Sequence, residues 1–308
     1  MPNTILITGT GAVATFFAAR MALAGYEVNM LGYWPEAVQA IRAQGARFVD
    51  QQGKIQSAKV HITSDPCEFG LIDYALVLVK SWQTPQYAAL IKQCLREDGI
   101  ALTLQNGLGN REALAAELGE ERSLAGVVLL GATVLEPGLV QVSGDPLVQL
   151  EKDAHLDPLV KIFERSGFQI RLFDDLNSLR WGKLIINAGV NPLSAVLGVR
   201  NGELVQDDNC RVILADLARE GRQTAEALGV QLPYDDPLLA IQEVLERTRN
   251  NSSSMLQDLQ RGAPTEIDAI NGAIVQHAHR KGIPVPVNET FVALVKSLAA
   301  QRSTRQER

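Results

Sequence analysis

Three polar side chains recur at helical spacing within an otherwise apolar segment of the second half of the chain. Lys183, Asn187 and Asn191 are four residues apart, so they share one face of a helix. Apart from Asn187, Leu184–Val190 is apolar or glycine, which predicts a helix buried around most of its circumference. A solvent-facing stripe is the alternative, but exposed helical positions favour Glu, Lys, Gln or Arg over Asn. The stripe is therefore predicted to be functional, with a kink at Pro192, which lacks a backbone donor.

Hydroxyl and carboxylate groups cluster further along the chain, where two interpretations are open. Ser252–Asp258 begins with consecutive serines, and Glu266 and Asp268 follow within Gly262–Gly272. A serine before a helix is typical of an N-cap, and carboxylates in a first helical turn are favoured by the helix dipole. Taken alone, these residues favour structural roles, with ligand binding as the alternative.

A glycine-rich turn lies near the N-terminus, between a predicted strand and a predicted helix. It consists of Gly9, Thr10, Gly11, Ala12, Val13 and Ala14. Gly9 permits a tight turn, Gly11 lets backbone approach a phosphate, and Ala14 stands where a third glycine commonly allows close helix–sheet packing. A plain glycine-rich turn is the alternative, but its position in an N-terminal βαβ unit predicts dinucleotide binding.

Two more polar residues follow predicted strands. Lys80 comes directly after the strand Tyr74–Val79, and Asn106 comes directly after Ile100–Gln105. Ligands of open α/β sheets bind at the carboxyl ends of strands, so Lys80 and Asn106 are predicted to face one crevice. Considered separately, Lys80 also fits a solvated strand end and Asn106 a turn.

The elements that must position these groups change in character along the chain. Short apolar runs alternate with helical patterns at first, which predicts a Rossmann-like, mostly parallel sheet. Gly53 is expected to form a hairpin, and Leu139–Leu150 two short strands. Beyond about Asp175 the pattern is helical, and one predicted helix covers Glu266–Arg280. We therefore predict an α/β fold with a dinucleotide-binding domain over residues 1–175, sharing a cleft with an all-α substrate and catalytic domain over residues 176–308.

Composition restricts the class of protein. The 308 residues are 46% hydrophobic and 21% charged, as in ordinary globular proteins. The net charge of −6 argues against nucleic acid or an anionic membrane as a partner. Cys67, Cys94 and Cys210 have no paired or metal-like spacing, so they are interpreted as packing residues, and no metal site is predicted. Since neither a signal-like start nor an apolar run of transmembrane length is present, we expect a cytoplasmic location.

In this order and at these separations, the blocks resemble the ketopantoate reductase (2-dehydropantoate 2-reductase) family over nearly the whole chain. The matching pieces are the Gly9/Gly11 turn, Val79–Gln83, Gln105–Gly107, Trp181–Lys183 with Asn187 and Asn191, Asn201–Leu204, Ser254–Asp258 and Thr265–Asp268. The combination is far more specific than any one block. The resemblance implies NADPH-dependent reduction of 2-dehydropantoate to pantoate, on the route to pantothenate and coenzyme A.

The resemblance also implies a role for each candidate residue. Lys183 matches the proton donor, and Glu266 a residue beside it at the substrate hydroxyl. Chemistry agrees, because hydride arriving at a carbonyl carbon leaves an alkoxide that a nearby ammonium stabilises and protonates. The predicted substrate-binding residues are Asn106, Asn187, Asn191 and Ser254. The predicted cofactor-binding residues are Gly9, Thr10, Gly11, Ala12, Val13, Ala14, Lys80, Asn106 and Glu266.

The sequence departs from the family after the second strand. An arginine commonly binds the 2′-phosphate of NADPH there, whereas this chain has Tyr33. No acidic residue replaces the arginine, so NADPH remains the expected cofactor. Without the arginine, the expected preference for NADPH over NADH is smaller, and use of NADH is also expected to be possible. Backbone N–H groups near Gly32 and the side chain of Arg42 are candidates to compensate in part.

Two other functions compete with this prediction. One is a 2-hydroxy-acid dehydrogenase of the same architecture acting on a different substrate. The other is a dinucleotide sensor without turnover, which would not need Lys183 and Glu266 together. The expected partners are a small 2-keto acid and, for assembly, a second copy of the chain in a homodimer.

Overall fold

The structure is a computed structural model that describes residues 4–306, including all of their side chains except those of Asp145 and residues 302–306. The chain divides into two compact units. The first unit runs to Gln105 and resumes over Asn110–Leu176. The second unit comprises Asn106–Gly109 and the described residues from Asn177 onward.

The first unit is a ten-stranded sheet with helices on both faces. Its strands are β1 Ile5–Thr8, β2 Val28–Leu31, β3 Ala46–Val49, β4 Ile55–Ala58, β5 His61–Thr63, β6 Ile72–Val77, β7 Leu95–Thr103, β8 Ser123–Glu136, β9 Leu139–Glu151 and β10 Gln169–Phe173. Its helices are α1 Ala12–Leu23, α2 Pro35–Gln44, α3 Thr84–Ile91, α4 Asn110–Leu118 and α5 Asp157–Arg165. The strand order is β4-β3-β9-β8-β7-β6-β1-β2-β5, with β10 paired to β9.

Most neighbouring strands in this sheet are parallel, and the antiparallel pairs are β3 with β4 and β8 with β9. From β1 the chain runs to β2 on one side and later returns to β6 on the other, so the topological switch point lies between β1 and β6. In an α/β sheet this is the place where ligands bind, beyond the carboxyl ends of the strands. The predicted α/β fold with a mostly parallel sheet is confirmed.

Burial on both faces explains the uninterrupted apolar character of β1. Ile5 and Ile7 belong to one hydrophobic core, together with Phe16 of α1 and Phe163 of α5. Leu6 points to the opposite face and belongs to a second core with residues of α3 and α4. Alternate side chains of a strand face opposite sides of a sheet, so a strand covered by helices on both faces must be apolar throughout.

Three local predictions for the first unit can be compared with its structure. The hairpin at Gly53 is confirmed, since Gly53 has φ +78° and β3 and β4 flank it. Leu139–Leu150 was predicted to form two short strands, but it lies in the single strand β9, because antiparallel pairing with β8 continues past the polar residues in its middle. The interpretation of Cys67 as a packing residue is wrong, since its side chain is exposed.

The described residues of the second unit form helices joined by turns and loops, without strands. Its helices are α6 Asn177–Leu197, α7 Asn201–Leu204, α8 Asp208–Ala227, α9 Pro237–Arg247, α10 Ser254–Gln260, α11 Asn271–Arg280 and α12 Pro286–Gln306. Helix α6 contacts α8, α9, α10 and α12 and so lies at the centre of the unit. Glycine lets two neighbours approach closely, since a Cβ at Gly189 would lie 2.9 Å from Ile241 and one at Gly221 would lie 2.9 Å from Ile185. None of the described helices is both long and apolar enough to cross a membrane.

Candidate active site

The glycine-rich turn of the first unit is held in a conformation that requires glycine. Gly9 has φ +93°, and its N–H donates to the carbonyl oxygen of Leu31 at 2.8 Å. A Cβ at Gly9 would lie 3.1 Å from Cγ1 of Val79. Left-handed backbone and close packing between β1, β2 and β6 therefore both select glycine at this position.

The N-terminus of α1 follows this turn directly. Gly11 is the N-cap residue, it is exposed, and no described side chain caps this helix end. A Cβ at Gly11 would meet nothing within 4 Å, so the space beside this residue is open. Ala14, in contrast, is completely buried. The predicted cofactor residues Gly9–Ala14 thus form a turn and helix start of the kind that binds phosphate.

Tyr33 follows β2, at the same end of the sheet. Its ring lies edge-on to Tyr87 at 5.7 Å and is 43% exposed. Of the two candidates to replace the missing arginine, the Gly32 N–H already donates to Thr63 O at 3.1 Å, and Arg42 Nε donates to Ile62 O at 3.0 Å. Both of these N–H groups thus already donate to carbonyl oxygens of β5.

Sequence reasoning missed an acidic residue near Tyr33. Burial, and secondarily the negative charge of Asp65, raise the pKa of Tyr33. Asp65 follows β5, and its side chain accepts the Cys67 N–H at 2.9 Å. Only the parallel pairing of β5 with β2 brings a carboxylate from residue 65 to the turn at residue 33, and no local sequence pattern predicts that pairing.

Lys80 lies beyond β6, directly before a 3-10 turn over Ser81–Gln83. Its backbone N–H donates to Gln83 Oε1 at 3.3 Å. Gln105 holds the same region from the neighbouring strand, donating from Nε2 to Val79 O at 2.7 Å and accepting at Oε1 from Thr103 Oγ1 at 2.8 Å. Gln105 is a second residue whose importance sequence reasoning missed, since it fixes the carboxyl ends of β6 and β7 relative to each other.

In the second unit, Lys183 and Glu266 form an electrostatic pair. Lys183 lies on α6, and the Glu266 side chain is buried, with 5% of its surface exposed. Desolvation lowers the pKa of Lys183 to about 8, and the charge of Glu266 opposes this shift. The helix turn that carries Lys183 is tightly packed, because Tyr234 Oη donates to Gly182 O at 2.8 Å and a Cβ at Gly182 would lie 2.6 Å from Pro233.

Glu266 lies in a turn that precedes α11, so the predicted helix over Glu266–Arg280 is wrong at its start. The N–H groups of Ala269 and Ile270 both donate to Glu266 O at 3.1 Å. The Ala269 carbonyl accepts the Leu108 N–H at 2.9 Å, a donor from outside the helix. This tertiary hydrogen bond engages an acceptor that a longer helix would use, and α11 begins only at Asn271.

The same hydrogen bond joins the Asn106 loop to the Glu266 turn. Gly107 has φ +84°, and a Cβ there would lie 2.3 Å from Ala269 O. Asn106 and Glu266 therefore belong to one packed region of the second unit. The nearby Asp268 is different, since its carboxylate is exposed and pairs with Lys296 at 2.6 Å.

The remaining candidates lie on α6 and α10. The structure places Asn187 and Asn191 on α6 with Lys183, as the spacing predicts, and Asn191 is 7% exposed. The serine that caps α10 is Ser253, whose Oγ accepts the Leu256 N–H at 3.1 Å. Ser254 is the first helical residue and is half-buried. The structural role considered for this serine cluster is thus performed by Ser253 rather than by Ser254.

All six predicted catalytic and substrate-binding residues thus lie in the second unit, and the first unit holds the glycine-rich turn and Lys80. The crevice predicted to be shared by Lys80 and Asn106 stays a prediction. Within residues 4–306, no group of three or more His, Cys, Asp or Glu side chains could hold a metal ion.

Both units match models of one protein family. The family model for ketopantoate reductase PanE/ApbA matches residues 5–153, and the model for the C-terminal part of that family matches residues 175–299. The 2-dehydropantoate 2-reductase of Halobacterium salinarum is 31% identical over 298 residues, which cover 95% of this chain and 97% of that protein.

Solved structures agree over a similar length. A PanE/ApbA family ketopantoate reductase from Ralstonia eutropha JMP134 has a TM-score of 0.91 and 35% identity, covering 97% of this chain and 99% of that one. A D-mandelate dehydrogenase solved with NADH and anilino(oxo)acetate has a TM-score of 0.88 at 24% identity, covering 97% and 99%, and it shares the fold. This chain therefore belongs to the ketopantoate reductase family and is an NAD(P)-dependent oxidoreductase.

Proposed function

We propose that this chain reduces 2-dehydropantoate to pantoate, on the route to pantothenate and coenzyme A, with NADPH as the preferred cofactor. The observation that carries the proposal is the pairing of Lys183, whose pKa burial lowers to about 8, with the buried carboxylate of Glu266. The substrate assignment is supported by relatives named 2-dehydropantoate 2-reductase at about 30% identity over nearly their full length.

In this proposal the dinucleotide binds to the domain predicted over residues 1–175, and the keto acid to the domain predicted over residues 176–308. The turn at Gly9 and the uncapped N-terminus of α1 fit a pyrophosphate, since they offer backbone N–H groups and open space at Gly11. The nicotinamide cofactor supplies the hydride when it is bound. The chain's own residues then have to bind the keto acid and deliver a proton.

Lys183 is the proposed proton donor. An acid catalyst works best when its pKa lies near the operating pH, because it is then still protonated yet releases its proton readily. Desolvation alone would lower the pKa of Lys183 further, and the charge of Glu266 holds it at about 8. Glu266 thereby keeps most of the Lys183 side chains charged at neutral pH, ready to stabilise and protonate a developing alkoxide.

The amides of Asn106, Asn187 and Asn191 and the hydroxyl of Ser254 are the proposed substrate-binding groups. They supply uncharged donors for the carboxylate and hydroxyl oxygens of a small 2-keto acid. Their elements are packed together in the second unit, where Asn191 is buried and Ser254 is not needed as the cap of α10. A site of this composition binds an anion locally, although the whole chain carries a net charge of −6.

The proposed preference for NADPH over NADH, as a ratio of kcat/KM, is small. Tyr33 offers a hydroxyl or a ring face where an arginine would make charge-assisted hydrogen bonds to the 2′-phosphate. Asp65 adds negative charge close to Tyr33, as its effect on the pKa of Tyr33 indicates. That charge disfavours a second negative group at this turn and favours a free ribose hydroxyl, so it narrows the margin between NADPH and NADH further.

A substrate and cofactor panel tests this proposal. Steady-state kcat/KM should be measured for 2-dehydropantoate and a series of other 2-keto acids, each with NADPH and NADH. We expect the highest kcat/KM for 2-dehydropantoate with NADPH. A higher value for another keto acid would identify a different 2-hydroxy-acid dehydrogenase, and cofactor binding without turnover of any keto acid would identify a sensor.

A further inference from the structure

Helix α6 contains a backbone acceptor that the helix itself cannot satisfy. Pro192 has no N–H, so the carbonyl oxygen of Ala188, four residues earlier, loses its helical donor. Both residues are buried, and a buried carbonyl left without a donor is strongly unfavourable. The side chain of Asn271 fills this place, since its Nδ2 donates to Ala188 O at 2.9 Å.

Asn271 is itself held by a buried chain of polar groups. Its Nδ2 also donates to Asn288 Oδ1 at 3.0 Å, and Asn288 Nδ2 donates to Glu220 Oε2 at 2.8 Å. Glu220 also accepts the backbone N–H groups of Val287 and Asn288 at the start of α12, each at 2.9 Å. Flipping the Asn271 amide would aim its oxygen at two acceptors, so these contacts fix its orientation.

The amide of Asn271 is unfavourable in one respect. The residue is 0% exposed, and its Oδ1 has no hydrogen-bond partner among the described residues. An ordinary residue at position 192 would supply the missing N–H to Ala188 O and leave Asn271 only its bond to Asn288. Asn271 therefore serves α6 specifically because position 192 is proline.

A second set of hydrogen bonds holds α6 next to Pro192. The carbonyl oxygen of Asn191 accepts from Ser194 Oγ at 3.1 Å and from Ser253 Oγ at 3.4 Å, and the two hydroxyls are 2.6 Å apart. Ser253 caps α10, the helix that begins with Ser254. The segment of α6 from Ala188 to Pro192 is thus hydrogen-bonded to α10 through Ser253 and to α11 through Asn271.

We propose that Asn271 is a positioning residue for the keto-acid site. By replacing the N–H that Pro192 lacks, it holds the turn of α6 between Ala188 and Pro192 in one geometry. Asn187 and Asn191 flank the Ala188 carbonyl along α6, so this geometry sets their direction relative to Ser254 and Glu266. The inference rests on the proposed function, in which these residues bind the substrate.

The test is a double-mutant cycle of Asn271→Ala and Pro192→Ala. Alone, Asn271→Ala should lower kcat/KM for 2-dehydropantoate about tenfold to a hundredfold, mainly through KM, with NADPH affinity unchanged. Pro192→Ala restores a backbone N–H four residues after Ala188. The double variant should therefore recover most of the lost kcat/KM, and the recovery should be in KM, whereas a loss of stability alone would lower the amount of active enzyme and leave KM unchanged.

Asn288→Ala is the matched control. It removes a buried asparagine of the same network, but the N–H gained in Pro192→Ala cannot replace the bonds of Asn288 to Glu220. Its loss of activity or stability should therefore remain after Pro192→Ala is added. Equal rescue of Asn288→Ala, or no rescue of Asn271→Ala, overturns the proposal.

Two readouts separate this inference from the proposed function. If Asn271→Ala does not fold, recovery of a folded and active double variant supports the proposal, and an unfolded double variant overturns it. If the wild type reduces no keto acid, the proposed function fails. Hydrogen–deuterium exchange would still test whether Asn271 holds α6 at Ala188. Faster exchange of the α6 amides in Asn271→Ala and its reversal by Pro192→Ala support the role of Asn271 at Ala188, and unchanged exchange overturns it.

Discussion

The two sets of candidate residues, one in each unit, are positioned by different means. In the first unit, Gly9–Ala14 and Lys80 lie where strands end, and hydrogen bonds and close packing between neighbouring strands hold them there. In the second unit, Asn191 and Ala188 of α6 are held by side chains that lie 62 and 83 residues away along the chain. The predicted cofactor residues are thus positioned mainly by the backbone at the ends of neighbouring strands, and the predicted substrate residues of α6 by side chains at the starts of other helices.

This contrast predicts where a single substitution does the most damage. Lys183→Ala should lower kcat for keto-acid reduction by about 10² to 10⁴, the range for loss of a positioned general acid, and leave cofactor affinity nearly intact. Steady-state kinetics and a fluorescence titration with NADPH measure the two effects.

Lys296→Ala is the control for Lys183→Ala. Lys296 is an exposed lysine of the same unit, paired with Asp268, and its removal should leave kcat unchanged. If Lys183→Ala keeps most of the wild-type turnover, or if both lysine variants lose similar amounts, the assignment of the proton donor is wrong.

In both units, the sequence predicts a feature when it depends on spacing within one element and not when it depends on contacts distant along the chain. The turn at Gly9 and the stripe of Lys183, Asn187 and Asn191 depend on spacing within one element, so both elements could be read from short segments. The start of α11 could not, because Leu108 engages the Ala269 carbonyl from a loop distant in sequence. The influence of Asp65 on Tyr33 likewise depends on strand pairing that residue types do not reveal.

The substrate-binding groups should show a smaller effect, confined to the keto acid. Ser254→Ala and Asn187→Ala are each expected to weaken binding of 2-dehydropantoate by about 1–3 kcal/mol, because each strands a substrate oxygen in a desolvated site. Cofactor binding should change little, as titrations with NADPH and with the keto acid would measure. Equal losses for both ligands would count against this placement.

Ser253→Ala provides the structural comparison for Ser254→Ala. Ser253 caps α10, so its loss should lower the free energy of unfolding by about 1 kcal/mol. Ser254→Ala should leave that free energy nearly unchanged. If Ser254→Ala lowered the free energy of unfolding and Ser253→Ala only weakened substrate binding, the roles assigned to these two serines would be wrong.

Cofactor choice at Tyr33 should give the smallest change. Tyr33→Arg adds a charge-assisted partner for the 2′-phosphate, and Asp65→Asn removes a negative charge near it. Each should raise the preference for NADPH over NADH, by about 1–2 kcal/mol for Tyr33→Arg and less for the exposed Asp65. The ratio of kcat/KM for the two cofactors measures this.

Asp174→Asn is a suitable control, since it removes an exposed carboxylate of the same unit that pairs with Lys152. Its cofactor ratio should equal that of the wild type. A wild-type enzyme that clearly prefers NADH, or a Tyr33→Arg variant without any gain for NADPH, would refute this view of the turn.

The central claim, that Lys183 donates the proton with its pKa held up by Glu266, is tested most directly by the pH dependence of kcat/KM for the keto acid. Only the protonated amine can donate, so kcat/KM should fall as pH rises through the pKa of about 8. Glu266→Gln removes the charge that raises this pKa, so the fall should begin at lower pH in that variant. A profile that stays flat through pH 8 in the wild type, or a fall that does not move in Glu266→Gln, would contradict the claim.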